Sequence, residues 1–102
     1  MYPKRAVDTS GVVSDASITV STTAIAITTA YDPQYVGQVT FDVQGYDVRA
    51  RWTGTDPTST VGHILPASTA YTWDVAQFNA AKFIRDVSAA GDATIFHSPM
   101  GN

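Results

Sequence analysis

The chain has 102 residues, a formal net charge of -3 and no cysteine. That length suits one domain and is too short for two. Disulfides, thiolate catalysis and cysteine-based zinc sites are excluded, and six scattered basic residues do not form the basic face of a nucleic-acid binder.

Composition favours extended backbone. All nine acidic residues are Asp, Thr is abundant, and Lys occurs only at Lys4 and Lys82. Glu and Lys suit helices, whereas Thr, Val and Ile suit strands. Residues 1–15 hold Pro3, Gly11 and the pair Lys4-Arg5 without a sustained period. They are expected to form a flexible N-terminal arm. It is either a frayed end or a segment that orders on a neighbouring subunit, anchored by Tyr2, Lys4, Arg5, Val7, Val12 and Val13. The start of the chain lacks the apolar core of a secretory signal. No apolar run approaches the ~18 residues of a membrane span. A soluble protein made in a cytoplasm, without membrane contact, is expected.

Residues 16–21 (ASITVS) alternate, with Ile18 and Val20 on one face, and residues 24–28 (AIAIT) alternate through Ile25 and Ile27. Period-two alternation predicts strands with one buried face. Tyr31 and Tyr35 flank Asp32-Pro33, a loop signal. Residues 38–44 place Val39, Phe41 and Val43 on one face. Residues 46–53 place Val48, Ala50 and Trp52 on one face and Asp47, Arg49 and Arg51 on the other. Two such runs across Gly45-Tyr46 predict a hairpin. Its outer face would allow ion pairs of Asp42 with Arg49 and Arg51, and Trp52 would be buried.

Residues 54–62 form a polar loop, and short strands follow at residues 64–65 and 70–73, on either side of Pro66. In residues 74–81 (DVAQFNAA), Asp74 either caps one helical turn or starts an irregular segment. Residues 82–88 and 93–97 predict two more strands across an Ala-Ala-Gly-Asp turn. Seven or eight short strands at regular spacing predict an all-β fold, a single small β-sandwich over residues 16–102, jelly-roll-like or immunoglobulin-like.

Chemistry is sparse. His63 and His97 are the two histidines, and no metal-ligating or nucleophile–base spacing surrounds them. No catalytic residue, metal or cofactor is expected. Asp56 sits in a turn sequence, where its carboxylate could at most join loop carbonyls around a calcium ion. Phe41, Trp52 and Phe83 fall on core faces, while Tyr31, Tyr35 and Tyr71 lie in or near loops, free for a partner. An aromatic cluster on a sandwich could also stack on sugar rings.

Arg51-Trp52-Thr53-Gly54-Thr55-Asp56-Pro57-Thr58, then Gly62-His63-Ile64-Leu65-Pro66-Ala67, then Phe83-Ile84-Arg85 and Ala93-Thr94-Ile95-Phe96, resembles a group of small virion proteins of tailed bacteriophages and prophages. The resemblance covers residues 46–98. The Asp56-Pro57-Thr58 turn is also similar to one in β-domains appended to glycosidases. The phage resemblance implies a structural protein of the virion, foremost a capsid decoration (cement) protein on the capsid surface. Its partners would be the major capsid protein and neighbouring copies of itself. A homo-oligomer is then expected, a trimer at threefold positions being one symmetric arrangement. Other roles stay open: tail, connector or fibre base, or a carbohydrate-binding module.

Overall fold

The structure, a computed structural model, describes residues 15–101. The elements run β1 (Ala16–Val20), β2 (Val36–Gln44), β3 (Val48–Arg51), β4 (His63–Leu65), β5 (Thr69–Asp74), α1 (Val75–Ala80), β6 (Lys82–Arg85) and β7 (Ala93–Gly101). Two antiparallel sheets form a small β-sandwich. Sheet A has the order β1-β7-β2-β5, and sheet B has the order β4-β3-β6. The predicted fold class holds. The expected arm, with Tyr2, Lys4, Arg5, Val7, Val12 and Val13, lies outside the described residues except for Asp15.

Alternation in sequence becomes alternation in burial. Val39, Phe41 and Val43 of β2, Val48 and Ala50 of β3, and Ile18 and Val20 of β1 all face the core. The ring of Phe41 lies 4.8 Å from Trp73, 5.1 Å from Phe78, 5.3 Å from Tyr71 and 6.3 Å from Phe83, centroid to centroid. One side chain of β2 thereby meets rings from β5, α1 and β6.

The predicted hairpin does not form. β2 pairs with β5 and β7, and β3 pairs with β4 and β6. Gly45, at φ +96, turns the chain from one sheet into the other through a backbone region that glycine adopts without strain. The two apolar faces therefore meet across the core instead of lying side by side. Asp42 and the arginines point away from each other on opposite outer faces, so the expected ion pairs are absent. Arg49 Nε instead donates to Asp86 Oδ1 at 2.7 Å, and its Nη1 donates to the Gly62 carbonyl at 3.0 Å.

Three further expectations change. Residues 24–28 make only an isolated bridge between Ile25 and Phe83 at the β6 edge. β6 and β7 lie in different sheets, so no hairpin joins them. Trp52 is half-buried. It has the predicted parity, but β3 ends one residue before it, at the rim of the sandwich. There its ring stacks on exposed His63 at 4.6 Å and meets Trp73 edge-on at 4.9 Å. Asp74 does cap a helical turn, accepting from the Ala76 N–H at 3.0 Å. The ladder between β1 and β7 begins at Ala16 opposite His97.

Phe41→Ala is expected to cost about 3–5 kcal/mol in urea unfolding, and Trp52→Ala about 1–2 kcal/mol. Equal losses would show that the rim and the centre carry similar weight. A second expectation concerns buried Asp86. Hydrogen bonds from the Ser88 hydroxyl and backbone N–H, and then from Arg49, hold its carboxyl at about 2. The unfolded chain takes up this proton first, so the contribution is complete above about pH 4 and is lost as pH falls through about 2. It amounts to about 2 kcal/mol. Asp86→Asn should lower stability at neutral pH and flatten its decline between about pH 4 and 2.

Candidate interaction site

Strand register brings several termini to one end of the sandwich. Val36 at the start of β2 lies opposite Gly101 at the end of β7, and Asp74 at the end of β5 lies opposite Gln38. α1 follows Asp74 directly, and the loop carrying Tyr31 and Tyr35 leads into β2. Asp15, where the N-terminal segment meets β1, adjoins the same group, since its charge acts on both Tyr31 and His97.

The tyrosine loop is built rather than loose. The Tyr31 N–H donates to Asn79 Oδ1 at 3.0 Å, and Asn79 Nδ2 donates back to the Tyr31 carbonyl at 2.8 Å. Asp32 closes the turn. Its carboxylate accepts from the Gln34 N–H at 2.9 Å, and its carbonyl accepts from the N–H groups of Tyr35 and Val36, both at 3.0 Å. This pattern is an Asx turn.

The loop's side chains divide by role. Tyr35 is 50 % exposed. Tyr31 is half-buried, and its Oη lies 2.5 Å from Nδ1 of buried His97. The His97 ring also packs on Phe78 at 5.2 Å. Burial lowers the His97 pKa, partly opposed by the Asp15 charge, and burial together with Asp15 raises that of Tyr31. At neutral pH the imidazole is thus neutral and the phenol protonated, and the imidazole tautomer decides which of Oη and Nδ1 donates. A protonated phenol and a sequestered imidazole are a structural pair, with neither an activated nucleophile nor an accessible base.

Of the three loop tyrosines expected to be free, only Tyr35 keeps that place. Tyr31 is held by His97 and Asn79. Tyr71 lies within β5 with its ring stacked on Phe41 at 5.3 Å, and its hydroxyl is 3.1 Å from Thr69 Oγ1. Met100, 44 % exposed, stands at the same end and was not anticipated. Continued alternation from Phe96 through Ser98 could have signalled it, but Pro99 reads as a strand breaker. Asn79 carried no signal, because its partner lies 48 residues away.

Other chemistry is thin. Among the described residues no group of three or more His, Asp or Glu side chains could hold a metal ion. Asp56 forms an ion pair with Lys82 at 2.9 Å. A hollow of about 460 Å³ is lined in part by Thr22, Ser59, Ile84, Val87 and Asp86; the Asp86 carboxylate there is already engaged by Ser88 and Arg49. Trp52 and His63 each use one ring face on the other, which leaves less open aromatic face for a sugar. No described helix is long and apolar enough to cross a membrane.

His97 gives a pH expectation. Its folded pKa lies below the unfolded value, so the unfolded chain binds the proton first. Stability is complete above about pH 6.5 and declines as pH falls toward the lowered folded value. Urea unfolding of His97→Gln should show a flatter profile between about pH 7 and 5. An unchanged slope would place the titration elsewhere.

Comparison with protein-family models, curated proteins and solved structures finds no match to this chain.

Proposed function

We propose that this chain is a non-catalytic bacteriophage virion protein, a decoration protein that binds the outside of the assembled capsid and reinforces it. One observation carries the reading: a rigid, hydrogen-bonded loop presents Tyr35 at the end of the sandwich where the N-terminal segment joins β1. A tyrosine on a preorganised loop is an effective interface anchor, since it offers large contact area at low entropic cost. The turn sequences from Arg51 to Thr58 and from Gly62 to Ala67, with their likeness to small phage virion proteins, supply the kind of partner.

Reinforcement is interfacial in this reading. Tyr35 and Met100 bury apolar surface on the major capsid protein. Residues 2–14 add contacts through Tyr2, Val7, Val12 and Val13, with Lys4 and Arg5 meeting acidic groups. Each residue that becomes fixed on binding costs about 1–2 kcal/mol, a loss that apolar anchors must outweigh. Shell rupture then requires breaking these added contacts.

The test is co-sedimentation with capsids that lack the protein, from the phage or prophage encoding it. Full-length chain should bind and raise the temperature at which capsids rupture. Tyr35→Ser and deletion of residues 2–14 should each weaken binding about tenfold or more, while the melting temperature of the free chain changes little. Failure of the full-length chain to bind capsids would overturn the capsid reading. Binding to tails or connectors in the same assay would move the protein there.

A further inference from the structure

Sheet A ends in β1 on one side and in β5 on the other. The β1 side of the sandwich is closed. Its inward residues Ile18 and Val20 are buried, and the chain beyond it turns onto β6. There the Arg85 N–H donates to the Ser21 carbonyl at 3.0 Å, and Ile25 and Phe83 exchange backbone hydrogen bonds of 2.9 and 2.8 Å. The same segment therefore covers the β6 edge of sheet B. The opposite edge of sheet B is β4, three residues long.

β5 is the exception. It runs six residues, Thr69–Asp74, and pairs with β2 alone. No other described segment makes a backbone hydrogen bond to it. Proteins commonly blunt such an edge with Pro, Lys, a bulge or a covering loop. Residues 69–74 (TAYTWD) hold no Pro and no Lys, and their register with β2 is unbroken. Their one charge, Asp74, is engaged in capping α1. The core is also incomplete here. Tyr71 and Trp73 face inward yet remain half-buried. Trp52 and His63 continue a ring-lined seam from Trp73 toward β4. Uncharged and aromatic-rich composition is that of an interface centre.

We infer that β5 pairs antiparallel with β5 of a second copy of this chain. A bare backbone edge is complementary to another extended strand, and β5 is the long open one among the described strands. Pairing it with itself is isologous and closes at two copies. It joins two four-stranded sheets into one continuous sheet. Residues directly opposite across an antiparallel pair share a face, so Tyr71 and Trp73 must meet inward residues. Setting Thr72 opposite Thr72 achieves this. Tyr71 then faces Trp73 of the second copy, an aromatic cross-strand pair, beside a Thr–Thr pair on the outer face. Ala70 faces Asp74, so the two Asp74 carboxylates stay at opposite ends of the ladder. The pairing requires no capsid and stands independently of the capsid reading.

Sedimentation of the full chain at rising concentration tests it. The wild type should pass from 10.9 kDa to twice that mass and no further, with little dependence on salt. Thr72→Lys sets two like charges opposite each other at an exposed position. It should weaken pairing about tenfold or more without shifting the melting temperature of dilute protein. The chain has no cysteine, so introduced thiols report the register. Thr72→Cys should form a disulfide-linked pair on mild oxidation, since opposite Cβ atoms lie about 4.5–5.5 Å apart. Ala70→Cys should not, because its two copies lie about 14 Å apart along the strands. A wild type that stays at 10.9 kDa, growth beyond two copies, linkage through position 70 instead of 72, or Thr72→Lys without effect would each overturn the inference. So would a chain lacking residues 2–14 that pairs where the full chain does not, since that segment would then be the occupant of the edge. A wild type that pairs but binds no capsid leaves this contact standing and removes the capsid reading; a monomer that binds capsids does the reverse.

Discussion

Contact between Phe41 and the rings of Tyr71, Trp73, Phe78 and Phe83 ties both sheets and the helix to one point. Phe41 sits midway along the central strand β2, with its ladder neighbours β5 and β7 on either side. Because the β5 rings lean on it from within sheet A and Phe83 reaches it from sheet B, it fixes how the layers sit on each other. Phe78 extends that contact to α1, and α1 holds the tyrosine loop through Asn79. The geometry of the exposed end therefore depends on a ring that solvent does not reach.

Strand existence and facing were legible from the sequence, whereas partnership was not. Val39, Phe41 and Val43 alternate as they would in any half-buried strand, and the structure buries all three. A Gly-containing break between two such strands reads the same whether the chain folds back beside itself or passes over to the opposing layer. Alternation specifies which face is inside; it does not specify which strand is adjacent. Trp52 shows a related limit. Its parity places it inward, but burial also depends on distance from the rim, and that is set by where β3 ends. Asp74 was readable as a cap because the capping bond is local.

At the interaction site the same division holds. Tyr35 follows an Asx turn whose residues are consecutive, so its exposure could be anticipated. Tyr31 belongs to the same loop, yet its role is decided by His97, 66 residues away. Desolvation of His97 and the short Oη–Nδ1 contact arise only when β7 packs under the loop. The bare edge of β5 was likewise invisible, since strand order had to be known before any strand could be placed at the margin of a sheet.

Connectivity bears on how the chain acquires this shape during synthesis. β1 pairs with β7, and β7 also forms one full side of the β2 ladder. Four of the six strand-to-strand connections, β2–β3, β4–β5, β5–β6 and β6–β7, change sheets, so few partners are near in sequence. Pairing over long separations is slow to nucleate. A nascent chain lacking β7 leaves β1 without a ladder partner and one side of β2 unpaired. Until translation delivers that segment, the emerging polypeptide presents unsatisfied edges, and the window before closure is when chaperone capture or misassociation on the polysome competes with folding.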